Sequence, residues 1–123
     1  MTDWPLEVDP VFGCATWTGK LDREGYGVAY KPGVSRHAHR AVYEERCGAI
    51  GDGLVLDHAC RNRACCAVAH LEPVSASENE RRKSWRYRAA MKRCKQGHDL
   101  KMQAMVTPQG GRVCRQCSKE VAA

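Results

Sequence analysis

Eight cysteines and five histidines, clustered at short spacing in 123 residues, limit what this chain can fold into more than any other feature. A chain of this length makes one small domain, or one with an appended minidomain. With a single Phe and 43% hydrophobic residues, apolar packing alone leaves such a chain marginally stable. The cysteines must therefore staple the fold, through disulfides or through metal. The opening MTDWPLEVDP is acidic, with no basic n-region and no apolar run, so neither a secretory leader nor a membrane segment is expected. A cytoplasmic, reducing compartment follows, where closely spaced Cys with His nearby reads as zinc ligation.

The formal charge is +6 and the isoelectric point near 9.0. Lys and Arg recur through residues 81–119 against the single Asp99. A polyanion is the natural partner of such a stretch, and DNA the expected one, with RNA not excluded by composition.

Along the chain, WTGKLDREGYGVAY (17–30) reads as a β-hairpin or two short strands turning at Asp22 to Gly25, with a second turn at Lys31 to Val34. HAHRAVYEERCG (37–48) has helical spacing, Ala38, Val42 and Arg46 recurring every four residues, and Gly48 stops it. Leu54 to Leu56 forms a short apolar strand ending at Asp57 and His58. Ser75 to Glu78 (SASE) is a capping box, which predicts one basic helix from about Ser75 to about Lys92 with Asn79 in its first turn.

The chemistry concentrates in Asp57-His58-Ala-Cys60-Arg-Asn62-Arg-Ala-Cys65-Cys66, continuing to His70-Leu71-Glu72 and then Glu78-Asn79. Cys60, Cys65 and His70 let a compact loop close three ligands around a tetrahedral zinc ion. A fourth must come from elsewhere, with Cys14 and Cys47 as candidates. Asn62 suits a loop-bracing hydrogen bond to backbone. In the tail, Cys94, His98, Cys114 and Cys117 make a zinc-knuckle-like set, with a small hairpin expected around Gly110-Gly111. This divides the chain into 1–93 and a zinc-binding tail over 94–123.

The ordered motifs Cys14-x-x-Trp-Thr-Gly19, Gly25-Tyr-Gly27, His39-Arg-x-x-Tyr-Glu44, D-H-x-C-x-N-x-x-C (57–65), His70-Leu-Glu72 and Glu78-Asn79 resemble the zinc-containing HNH endonucleases of phages and the related His-Cys box homing endonucleases. The resemblance covers nearly the whole chain and implies an α+β fold, a zinc-stapled ββα-metal (His-Me finger) domain, encoded by a phage or bacterium. It makes Cys14 the fourth zinc ligand and leaves Cys47, where the family has an apolar residue, as a buried small hydrophobe. It implies His58 as the general base, with Asn79 and Asp57 holding Mg²⁺ or another catalytic divalent ion, distinct from the two structural Zn²⁺. Arg36 lies where related enzymes extend an Arg to the scissile phosphate. His39 and Arg40 match a helical motif in which packing or an internal hydrogen bond is the expected role, and His37 is expected to be merely exposed. The family's Asn-Pro between the second Cys and the His is Ala67-Val68 here, a change in loop shape that leaves the ligands intact.

Arg82, Arg86, Lys95 and Arg112 are expected to meet phosphates. The competing class is a non-catalytic, zinc-stabilised DNA-binding regulator, which needs none of Asp57, His58 and Asn79. A monomer would nick, whereas a homodimer would cut both strands across a palindrome.

Overall fold

A computed structural model describes residues 4–29 and 36–122, so the turn expected at Lys31 to Val34 lies outside the described residues. Three antiparallel pairs of strands are joined by short helices: β1 (Leu6–Val8) with β2 (Ala15–Trp17), β3 (Leu54–His58) with β4 (Leu71–Ser75), and β5 (Ala104–Val106) with β6 (Arg112–Cys114). A two-stranded ribbon is at best marginal alone. Each is therefore held by something outside its own ladder.

The expected hairpin over 17–30 is reduced to its turn. The Asp22 carboxylate accepts from the Glu24 and Tyr26 backbone N–H groups at 2.9 and 3.0 Å, closing a loop with only a Leu21–Gly27 bridge behind it. The partner strand of Ala15–Trp17 comes instead from Leu6–Val8, in a segment with no alternating pattern to reveal it.

Helix α1 (Ala38–Cys47) forms where its spacing predicts, and Gly48, at φ +91°, donates its N–H to the Glu44 carbonyl at 3.0 Å. Its buried face of Ala38, Ala41 and Val42 packs with Trp4, Trp17, Ala29 and Cys66. Full burial of Val42 contributes about 1.5–3 kcal/mol. Gly27 sits under the Trp17 ring and Ala38, where any β-carbon would collide. The buried thiol of this core is Cys66, whose ionisation burial pushes up to about 12. Cys47 is exposed at the end of α1, which corrects the expectation that it is buried.

The central ββα unit is β3 paired with β4, from Leu54 opposite Ser75 to His58 opposite Leu71, followed without a loop by α2 (Ala76–Arg81). Ser75 caps α2, its hydroxyl accepting from Glu78 N–H at 3.1 Å. The single basic helix expected through Lys92 is two, α2 and α3 (Trp85–Ala90). The break has a physical cause. The Arg82 carbonyl, which would continue the helix, accepts instead from the guanidinium groups of Arg61 and Arg88, at 2.6 and 2.8 Å, and Ser84 caps a new helix.

The tail adds α4 (Leu100–Gln103), the expected hairpin β5–β6, and α5 (Arg115–Ala122). It is seated directly on the zinc-loop segment. Arg112 N–H donates to the Ala59 carbonyl at 2.9 Å and the Thr107 hydroxyl to the Cys60 carbonyl at 2.6 Å. Gly111 lies so close that a β-carbon there would run into the Cys60 backbone. Among the described residues, no helix is long and apolar enough to cross a membrane.

Candidate active site and zinc clusters

Two groups of ligand atoms converge, each within 4.8 Å of one another: Cys14, Cys60, Cys65 with His70, and Cys94, His98, Cys114 with Cys117. In the first, His70 Nδ1 lies 3.7 Å from Cys14 Sγ and 3.6 Å from Cys65 Sγ. In the second, His98 Nδ1 lies 3.3, 3.5 and 3.3 Å from the sulfurs of Cys94, Cys114 and Cys117. Zinc–sulfur bonds of about 2.3 Å in a tetrahedron imply edges of about 3.8 Å, so both donor sets have the size and chemistry for Zn²⁺. Thiol hydrogen bonds from Cys60 and Cys65 hold Cys14 far below a free thiol, while Cys14 holds the other two up. The three thiols and His70 thus form one buried donor set of the kind that can hold a zinc ion.

The first cluster has a buried second layer. With His70 Nδ1 facing the sulfurs, Nε2 donates to the Ser118 hydroxyl at 2.9 Å, tying the zinc loop to α5. Asn62 braces the loop as expected, its amide donating to Thr16 Oγ1 and its oxygen accepting from Ala64 N–H, both at 3.2 Å.

Residues alternate across a strand, so β3 carries two kinds of chemistry on two faces. Leu54 and Leu56 pack toward Tyr43 of α1. His58 shares that face, its ring 4.7 Å from His39 and 5.8 Å from Tyr26. Its Nε2 meets the Cys65 carbonyl at 3.2 Å. A carbonyl can only accept, so the proton sits on Nε2 and Nδ1 keeps its lone pair. Burial pushes the imidazole down to about 4, which holds it neutral. His39 is pushed down further, to about 3, by burial and by His58, and its Nδ1 has no hydrogen-bond partner among the described residues. The internal hydrogen bond expected of that motif is made by Arg40 alone, to Glu44 at 3.1 Å. His37 is exposed as expected, and its Nε2 approaches Asp22 at 3.9 Å.

Asp57 points the other way. Its two oxygens are taken by Arg88 at 2.6 Å and Arg82 at 3.2 Å, and Arg82 also pairs with Glu72 and Glu78. Two guanidinium groups thus occupy the carboxylate that was expected to share a divalent ion with Asn79. Asn79 is half-buried on α2, which packs on β3, and no side-chain bond occupies it among the described residues. Arg36 is exposed and its guanidinium is free of the described residues.

The basic residues expected to meet phosphate divide sharply. Arg82 is locked in carboxylates, which, against its burial, raise its ionisation above the ordinary value. Lys95 Nζ donates to the Val68 and Leu71 carbonyls, the second at 2.6 Å. Arg112 donates to the carbonyls of Arg88, Met91 and Leu100 at 2.8, 2.7 and 3.4 Å. These three therefore also hold the fold together, through carboxylates for Arg82 and backbone carbonyls for Lys95 and Arg112. Arg86 alone of the four is exposed and unengaged among the described residues.

Residues 36–81 match the family model for HNH endonucleases. Protein 7.7 of Escherichia phage T7 is 35% identical over 66 residues, covering 54% of this chain and 51% of its own length. The uncharacterized gene 5.3 protein of Enterobacteria phage T3 is 42% identical over 60 residues, covering 43% of this chain and 58% of its own. The chain thus spans a little over half the length of these relatives. No solved structure matches it.

Proposed function

We propose, from the match of residues 36–81 to the HNH endonuclease family model, that the chain hydrolyses phosphodiester bonds of DNA, with His58 as general base. The observation that carries this reading is the contact of His58 Nε2 with the Cys65 carbonyl, which fixes the tautomer. Nε2 is committed to the Cys65 carbonyl, so Nδ1 is a neutral acceptor held in one orientation. In the reaction Nδ1 takes a proton from water, the hydroxide attacks phosphorus, and the bond to the 3′ oxygen breaks; the leaving oxygen takes a proton from solvent water, giving a 5′ phosphate and a 3′ hydroxyl. In this reading Asn79, whose side chain makes no other bond among the described residues, would hold a divalent ion such as Mg²⁺. One amide oxygen suits an ion whose other positions are water and the scissile phosphate. When bound, that ion supplies charge stabilisation to the phosphate and leaving oxygen. In this reading Arg36, which is exposed, would bind the phosphate, and Asp57 anchors Arg82 and Arg88.

The two clusters are assigned to structural zinc, holding the loop that carries the carbonyl on which His58 rests. The regulator reading gains from one observation, the neutralised Asp57. Incubation with supercoiled plasmid, with and without Mg²⁺, decides between the two. A nuclease converts plasmid to nicked or linear form, and His58→Ala slows this by about 100-fold or more while zinc content and DNA affinity persist. Parent protein that never cuts with any divalent ion leaves the regulator as the better reading.

A further inference from the structure

We propose that the groove between the zinc loop and the tail hairpin binds an unpaired stretch of DNA strand, with one base stacked on Trp85. The groove is lined by Arg61, Arg63, Lys83, Trp85, Gln109 and Gly110, and no carboxylate among the described residues lines it. Trp85 is 50% exposed, whereas Trp4 and Trp17 are each 7% exposed. An indole left half in water beside three cations offers a flat apolar face inside a positive field.

The cations keep their charge available. Arg61 and Arg63 spend one N–H each on backbone carbonyls, those of Arg82 and Glu24 at 2.6 and 2.9 Å, and neither pairs with a carboxylate among the described residues. Lys83 pairs with Glu80, but both side chains are largely exposed, and such a pair yields readily to a phosphate. Arg61 is the only non-glycine among the described residues with positive φ, at 61°, a backbone conformation that L residues rarely keep without a reason.

A base in a duplex has both faces covered by its neighbours. Only a base at a nick, an end, a junction or a single-stranded segment has a face free for an indole. One lining residue also reaches toward the candidate catalytic base: the Arg63 guanidinium lies 5.5 Å over the Tyr26 ring, which lies 5.8 Å from the His58 ring. That proximity, which rests on the nuclease reading, favours a DNA strand over an acidic peptide.

The test is equilibrium binding of the full zinc-loaded protein to oligo(dT) and to a blunt duplex of equal length, without added divalent ion. Intrinsic fluorescence follows Trp85, the one Trp exposed among the described residues. Oligo(dT) should quench the fluorescence, and Trp85→Ala should weaken oligo(dT) binding by roughly 5- to 150-fold, while Trp85→Phe retains most of it. Arg61→Ala with Arg63→Ala should reduce the log–log salt slope by about 0.7 for each single-strand phosphate that the variant no longer neutralises. Unchanged oligo(dT) affinity in Trp85→Ala, with zinc content and far-ultraviolet circular dichroism intact, overturns the proposal. So does equal binding of polyglutamate, or tighter binding of oligo(rU). Cleavage is not read, so the groove can be confirmed in a protein that never cuts and refuted in one that does.

Discussion

Removing a single oxygen from the tail should loosen zinc in the loop on which the tail is seated. Ser118 Oγ lies 2.9 Å from His70 Nε2, and each residue is only 2% exposed. Ser118→Ala therefore leaves an imidazole N–H without an acceptor in a site water does not reach. Loss of such a partner lowers metal affinity about 10- to 100-fold. That is about 1.4–2.7 kcal/mol. The cost of orphaning a buried donor, about 1–3 kcal/mol, covers the same bond and gives the same range. Competition of the zinc-loaded protein against a chromophoric chelator resolves the two ions. The Cys14, Cys60, Cys65 and His70 ion should be released at lower chelator concentration and the other should not move, with a fall of several degrees in Tm. Wild-type affinity for both ions with unchanged Tm would refute the reasoning, showing that the three sulfurs orient His70 without help from α5.

Three further outcomes follow from the same contacts. Elemental analysis should give two zinc ions per chain, and a strong chelator should unfold much of the fold, since three two-stranded ribbons have little else to hold them; one zinc, or disulfides in the purified protein, contradicts this. Asp57→Ala should cost about 3–5 kcal/mol in urea unfolding by stranding the Arg88 guanidinium, which is 3% exposed, and adding Arg88→Met should recover much of the loss. Arg112→Ala should lower Tm because three carbonyls lose their donor, whereas Arg86→Ala should leave Tm alone and reduce the salt slope of duplex binding by about 0.9 for each duplex phosphate left without its cation.

The parts of the fold legible in the sequence are those whose cause is local. The Gly48 stop of α1, the Ser75 cap and the Asp22 turn each depend on groups within four residues. Both cysteine clusters were legible because ligand chemistry survives any path the chain takes between donors. Strand β1 and the break at Arg82 were not, because their causes are distant: Ala15–Trp17 for the first, Arg61 and Arg88 for the second.

Charge was legible only as a total. A lysine or arginine in a sequence is a cation without an address. Arg82 pairs with Asp57, Glu72 and Glu78 inside the fold, whereas Lys95 and Arg112 donate to carbonyls and keep their charge. The free positive charge lies partly in the zinc loop itself, at Arg61 and Arg63, between the ligands Cys60 and Cys65. Closing that loop on metal fixes Arg61, Arg63 and the Cys65 carbonyl together. The staple therefore also sets the position of the groove relative to the nitrogen that takes the proton, and loss of the first zinc should abolish strand binding along with cleavage rather than either alone.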